Sequence, residues 1–421
     1  MSVMCALLGT ACSSPSSPPS TTTVSTSAAG TLEGGYSSKT PYAPQESIAD
    51  YQPAPEGFVP VYTEGVARHG SRALSSVKYD DLTLQLWQIA EADGALTDIG
   101  RELGPAIQSL MKANAEIGYG ALSGLGMDEH RGLAERVAER VPQLFTAIEQ
   151  QSGTVTLTSS GVDRAVDSAQ NFGQGLTTAI PALAPRVAAP TADEDLLYFH
   201  KSDANLDYQQ YEDGDPRLEA VDEEIDNLPR TRDVARQMLT TLYSESFVDR
   251  VAAGEFSLTD RGDGDTTVEN EVDAANMLYN TYIITPGMSE EGQWDFTRFV
   301  QPEHAQWFAY VSDAEDFYSK GPGFERDDIT YKMASVLRDE FLRTLTAHAA
   351  PNAVPGADFR FAHAETIIPF AALLQLPGSE TQQPEGDLYT YDNNDWRGAQ
   401  VTPMAANIQW DEFAGPEGAH L

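Results

Sequence analysis

Phe58-Val59-Pro60-Val61-Tyr62-Thr63-Glu64-Gly65-Val66 reads as a buried strand, and behind it, past Ala67, stands Arg68-His69-Gly70-Ser71-Arg72. Two arginines around a histidine have a physical use: guanidinium groups carry permanent charge and bind phosphate oxygens bidentately. Their field also disfavours a protonated imidazole, leaving a ring nitrogen lone pair free to attack phosphorus. Gly70 is expected to let the backbone come close to a ligand. An isolated Arg-His pair would read as an exposed basic turn. Five such residues directly behind a buried strand weaken that reading.

Outward from this stretch, strand signals followed by helical patterns recur. Thr154 to Thr158 (TVTLT) reads as a second strand, and Ala357 to Ala362 (ADFRFA) as a third. Asp128 to Glu149 reads as helical, with Leu133, Val137, Val141, Leu144 and Ile148 at helical spacing. Strand then helix, repeated, predicts an α/β fold with a mainly parallel central sheet flanked by helices. Residues 192–343 are rich in helical pattern, aromatic residues and acidic loops, without obvious strands, and read as an inserted helical cap. The α/β core is then expected over 49–191 and 344–421.

Chemistry also follows the other two strands. Behind the second, Arg164 stands at the start of a helix, where the macrodipole favours anions over cations. That placement makes sense if an anionic ligand shares the helix terminus; an ion pair with Asp163 or Asp167 explains Arg164 equally well. Behind the third come His363 and, two residues on, Glu365. A second histidine can bind a phosphate oxygen, and a carboxylic acid can protonate a leaving alkoxide. Such an acid must stay protonated near neutral pH, which an enclosed site or a neighbouring anionic substrate favours. The plainer reading is a buried histidine capping a helix with Glu365 in its first turn.

The 421 residues carry 26 Lys+Arg against 64 Asp+Glu, and 26 − 64 gives a net charge of −38. A surface so acidic argues against nucleic acid and anionic membrane surfaces as partners, so a polyanionic ligand needs a local basic pocket. The two cysteines, Cys5 and Cys12, both lie in the first dozen residues, which leaves the body without a disulfide, a Cys-based zinc site or a thiol nucleophile. MSVMCALLGTAC resembles the end of a bacterial lipobox with Cys12 as the lipidated residue. It lacks a basic n-region, so residues 1–12 read as a truncated lipoprotein-type signal whose true start is further upstream. Of the eighteen residues Ser13 to Gly30, seven are Ser, four Thr and three Pro, a composition that builds no core, and 13–48 is expected to be a linker with ordered sequence beginning near Ala49. No later stretch is apolar for eighteen residues. The protein is therefore expected to be exported, as a cell-surface lipoprotein or a secreted protein, touching a membrane only through a lipid at Cys12.

Taken in order, the R-H-G-S-R box, the later arginine and the H-A-E box resemble the histidine phosphatase superfamily, in its acid phosphatase and phytase branch. The H-A-E form is similar to that of the multiple inositol polyphosphate phosphatases. LGMDEHRGLAERV, YFHKSDANLDYQQY, EDFYSKGPGF, RFAHAETIIPF and WRGAQVTPMAANIQW are similar to bacterial members, and the likeness runs from about Phe58 to Phe413. The disulfides of eukaryotic members are absent. The resemblance implies that His69 is the nucleophile, forming a phosphohistidine. It implies that Arg68, Arg72, Arg164 and His363 hold the phosphoryl oxygens and that Glu365 protonates the leaving inositol oxygen. No metal or other cofactor is required. The implied substrate is a small phosphorylated molecule, phytate or a lower inositol phosphate, and a monomer is expected. For the substrate rim the candidates are Lys78, Arg131, His200, Lys201, Lys320 and Arg397. His130 reads as part of a solvated helix face, and His304, His348 and His420 have no recognisable partners. Two alternatives stand beside this reading: a broad-specificity histidine acid phosphatase, and a non-catalytic lipoprotein that captures phosphorylated ligands.

Overall fold

The computed structural model describes residues 34–350 and 352–421. Cys12, the expected signal over 1–12 and residues 13–33 of the expected linker lie outside the described residues. The strands are β1 (Val59–Arg68), β2 (Val155–Ser159), β3 (Thr191–Ala192), β4 (Leu258–Thr259), β5 (Thr267–Val268), β6 (Gly356–Ala362) and β7 (Asn407–Ala414). Five of them form the central sheet in the order β3-β2-β6-β1-β7. Neighbours pair parallel except β7, which runs antiparallel along β1. The mainly parallel α/β sheet matches the expectation. The three anticipated strands are β1, β2 and β6, with β1 running on to Arg68, so that this arginine ends the strand. Edge strand β7 (NIQWDEFA) escapes a pattern reading because nearly all its residues are only half-buried.

Helices cover both faces of the sheet, so its central strands are buried on both sides. On one face Leu133, Val137, Phe145 and Phe172 from three helices pack on Phe359 and Phe361 of β6. On the other, Phe199, Phe341 and Phe370 pack with Val66 of β1. The single helical pattern expected over Asp128 to Glu149 is two helices, Gly124–Arg140 and Pro142–Gln151. Val141 leaves helical geometry at φ −126° and ψ 54°, and Pro142 opens the second helix at a first-turn position where its missing N–H costs nothing.

The helical region does not follow the expected boundaries. Leu86 and Trp87 of helix Lys78–Ala92 and Leu103 of Gly100–Ile117 share one core with Met238, Leu278 and Phe308. The helical layer is therefore built from two stretches of chain, one of them inside the expected first core segment. Helix Ser335–His348, expected in the cap, packs on the sheet instead through Phe341. A small hairpin, β4–β5, also lies in the expected strand-free region. No helix among the described residues is long and apolar enough to cross a membrane.

The end of the expected linker is also structured. Gly34 and Gly35 accept hydrogen bonds from Tyr282 Oη (2.6 Å) and Tyr279 Oη (2.9 Å) through their carbonyls. Ser37–Lys39 forms a 3-10 turn, Ser37 Oγ donates to buried Asp313 at 2.5 Å, and Met404 N donates to Thr40 O at 2.9 Å. Glycine, serine and threonine carry no strand or helix signal, and here their polar groups are satisfied by partners hundreds of residues away.

Candidate active site

Register brings the three boxes together. Arg68 pairs with Ala362 across β1 and β6, and Ser159 pairs with Phe361 across β2 and β6. His69, Ser160 and His363 thus leave three adjacent parallel strands at their carboxyl ends, where open α/β sheets bind ligands. His69 N donates to Ala362 O at 2.8 Å and Ser160 N to Phe361 O at 3.0 Å, which ties the loops to each other. The His69 and His363 rings stand 5.5 Å apart, edge to face.

His69 is buried, and its Nδ1 lies 2.9 Å from the Gly70 carbonyl oxygen. A carbonyl only accepts, so Nδ1 carries the hydrogen and Nε2 keeps its lone pair. Burial, and then the charges of Arg68 and Arg164, hold the imidazole pKa well below its usual value. At Gly70 a Cβ would collide with the backbone of Gly126, which by itself requires glycine there. The Gly70 N–H donates to Ser168 Oγ at 3.2 Å. Glu129 fixes the same loop, accepting from Ser71 N (2.6 Å) and Ser71 Oγ (2.8 Å).

Arg68 spends Nη1 on the carbonyls of Ser38 and Thr402, both at 2.5 Å, and Arg72 spends Nη1 on the Ala73 carbonyl at 2.7 Å. The Nε atoms of Arg68, Arg72 and Arg164 and Nδ1 of His363 are buried without a partner among the described residues. Arg68, Arg72 and Arg164 also act together on His69 by their charge, and buried cations without a counter-charge are costly, which suits the cluster to an anion. Burial, then Arg164 and Arg68, lowers the Arg72 pKa to about 9. Arg164 opens helix Asp163–Ala179 and makes no ion pair with Asp163 or Asp167, which removes the plainer reading of that residue.

His363 caps helix Ala364–Leu373, with Nε2 2.7 Å from Ser160 Oγ; burial, then Arg164, brings its pKa down to about 3. Glu365 lies in the first turn, 3.7 Å from Lys320 Nζ, which also meets Asp316 at 3.0 Å. Burial pushes the Glu365 carboxyl up, but Lys320, His363 and His200 outweigh it and hold the group well below the usual carboxylate range. Enclosure by itself therefore does not keep this acid protonated, which leaves the other expected cause, a neighbouring anionic substrate.

Of the rim candidates, Lys320 stands in the site. His200 is buried in its wall, its ring 4.4 Å from that of Tyr198, which in turn meets His363 at 5.1 Å. Lys78 lies over the Tyr79 ring at 5.1 Å. Lys201 is paired with Glu212 at 2.8 Å and half exposed. Two candidates are elsewhere. Arg131 pairs with Asp128 at 2.7 Å, beside Gly175, which is eleven residues and about 16 Å along the helix from Arg164. Arg397 lies 3.7 Å over the Tyr391 ring and donates to the carbonyls of Tyr391, Asn394 and Trp396, a role in packing. His130 is not solvated: it is fully buried, edge-on to Phe361. His348 stacks on Tyr62 at 4.0 Å, and His420 meets Glu412 at 2.8 Å. Sequence reasoning missed Lys39, Ser160 and Glu129. Glu129 lies inside the quoted LGMDEHRGLAERV and Ser160 just behind the second strand; Lys39 had no signal beyond its charge.

Residues 63–411 match the model of the histidine phosphatase superfamily (branch 2), and the chain belongs to that family. Among solved structures it is similar to the multiple inositol polyphosphate phosphatase of Bifidobacterium longum in complex with inositol hexasulfate. The TM-score is 0.86 at 35% identity, over 90% of this chain and 89% of that one. The same enzyme in complex with phosphate matches with a TM-score of 0.87 at 35% identity, over 91% and 88% of the two chains. The phytase of D. castellii shares the fold, with a TM-score of 0.63 at 14% identity, over 92% of this chain and 76% of that one. A search of the curated proteins found no match.

Proposed function

We propose that this protein removes phosphate from inositol polyphosphates such as phytate through a phosphohistidine at His69. One observation carries the reading: Arg68, Arg72, Arg164 and His363 crowd around a buried neutral imidazole whose Nδ1 faces the Gly70 carbonyl, so that the lone pair is on Nε2. The likeness to the Bifidobacterium longum enzyme supports the substrate class. In the first step the Nε2 lone pair forms the N–P bond as the P–O bond to the inositol oxygen breaks. That oxygen keeps the electron pair and takes a proton from Glu365. In the second, a water oxygen attacks phosphorus, Glu365 takes the water proton, and the N–P electrons return to Nε2. The arginines and His363 neutralise the charge on the phosphoryl oxygens in both steps, and splitting one displacement into two lowers each barrier.

Export and anchoring at Cys12 belong to the same proposal and rest on the lipobox-like run and the Ser/Thr/Pro segment. A diacylglyceryl group supplies two chains, enough for stable attachment. Wild-type protein from its own host should partition with membranes and Cys12→Ser should not; unmodified Cys12 by mass spectrometry would rule the anchor out.

The mechanism is tested with His69→Ala, which should abolish phosphate release while leaving the circular dichroism spectrum unchanged. Acid quench of wild type during turnover should trap acid-labile phosphate on the protein. Full activity in His69→Ala would sink the mechanism, and aryl phosphate turnover without phytate turnover would sink the substrate.

A further inference from the structure

Lys39 brings a cation to the active site from the segment expected to be a linker. Among the described residues its Nζ has one polar partner, Ser38 Oγ at 3.2 Å, whereas Lys320 is held by Asp316 and Glu365. Charged and titratable groups face it from four directions. Arg68 and Arg72 stand at the end of β1, and Tyr79 comes from helix Lys78–Ala92. Glu315, Asp316 and Lys320 lie on helix Pro302–Lys320, and Glu365 on Ala364–Leu373. Burial, followed by Arg68 and Arg72, lowers the Lys39 pKa to about 7. An ammonium enclosed beside two guanidinium groups is unfavourable until an anion joins it.

A cavity of about 170 Å³ indicates where that anion sits. Lys39, Arg72, Tyr79, Asn280, Asp316 and Lys320 line it, whereas His69, Arg68, Arg164 and His363 do not. Arg72 thus belongs both to this cavity and to the charges around His69. Phosphates on neighbouring carbons of an inositol ring lie side by side, so a substrate with one phosphate against His69 can place the next in this cavity. A monophosphate has nothing to put there.

We propose that Lys39, with Arg72 and Lys320, forms a subsite for the phosphate next to the one attacked, and so sets the preference for polyphosphorylated substrates. The inference rests on the phosphatase reading above. Lys39 is a specificity residue in it, not a participant in bond breaking.

The test compares two competitive inhibitors of aryl phosphate hydrolysis, inorganic sulfate and inositol hexasulfate, on wild type, Lys39→Met and Lys39→Arg. Both inhibitors keep constant charge from pH 5 to 8.5. Losing one charge-assisted contact to a sulfate ester should reduce the hexasulfate preference, Ki for sulfate over Ki for hexasulfate, by ~10-fold or more in Lys39→Met. Lys39→Arg should restore it. In wild type the hexasulfate Ki should rise as pH passes through about 7, because Lys39 loses its proton there, and in Lys39→Arg that rise should be missing. A structural role would move both inhibitors together and would not follow pH in this way. The proposal is overturned by an unchanged ratio in Lys39→Met, by equal loss for both inhibitors, by loss of aryl phosphate turnover in that variant, or by a wild type that does not prefer hexasulfate. Phytate turnover is measured separately: its absence in wild type removes the proposed substrate and leaves the inhibitor ratio to decide on Lys39.

Discussion

In the proposed mechanism Glu365 is ionised and protonated in one catalytic cycle, and its neighbours account for only one of these states. Lys320, His363 and His200 stabilise the carboxylate, which suits the base that activates water. To act as acid, Glu365 has to be pushed up by the substrate's own negative charge, so binding and protonation are coupled. Glu365→Gln should therefore cost most where the leaving group is a poor one. On phytate kcat/KM should fall by about 10² to 10⁴, the usual worth of general acid catalysis. On an aryl phosphate, whose leaving group needs little protonation, the first step should change far less. Equal losses on both substrates would assign the proton to another residue.

One element, the segment Gly34–Thr40, does structural and chemical work together. Its Ser38 carbonyl is one of two acceptors that aim Arg68, and its Ser37 hydroxyl satisfies Asp313, whose carboxyl burial pushes up to about 6. A hydrogen bond to a charged group is worth about 1.5 to 3 kcal/mol, roughly ten- to hundredfold. A protein starting at Tyr42 should therefore lose about tenfold or more in kcat/KM on aryl phosphate, and more on phytate because Lys39 goes with the segment, with a lowered thermal midpoint. Lys39→Met, by contrast, should discriminate between mono- and polyanionic ligands. Full activity in the shortened protein would show that the Thr402 carbonyl positions Arg68 alone.

Across the whole molecule, buried acids and buried histidines set how stability follows pH, with opposite signs. Burial pushes Glu64 and Asp80 up to about 7 and Asp222 and Asp313 up to about 6. For Glu64, Arg360 at 3.0 Å offsets only part of that rise. Because these folded-state values exceed the unfolded ones, folding takes up protons. Their contribution is complete below about pH 4 and is lost as pH rises through 6 to 7. Asp215, held down by Arg217, and Glu365 act in the opposite sense and lose their contribution as pH falls below about 4. Acidification also relieves the self-repulsion of a chain with net charge −38. Buried His69, His130 and His363, all held below the usual imidazole value, oppose this and cost stability as pH falls below about 6.5. Glu64→Gln isolates one acid: relative to wild type its thermal midpoint should gain at pH 8 compared with pH 5. An equal effect at both pH values would show that Arg360 keeps Glu64 ionised.

The sequence by itself determined three central strands and the charged and histidine residues placed behind them. β1, β2 and β6 are short apolar runs, and behind each stand residues that meet at the site: Arg68 and His69, Arg164, and His363. Local order along the chain is enough there, because a parallel sheet brings the carboxyl ends of adjacent strands together. Only the tertiary structure decided what depends on distant partners. His130 looks solvated in a charged helix, yet it is buried against Phe361; helical spacing marks a face without saying what covers it. Arg131 and Arg397 have the right charge, but a neighbouring carboxylate and a set of carbonyls take them. Lys39 has no local signal at all. It reaches the pocket because Tyr279, Tyr282, Asp313 and Met404 hold its segment. Composition records what a segment can bury by itself, whereas hydrogen bonds across more than two hundred residues exist only once the chain has folded.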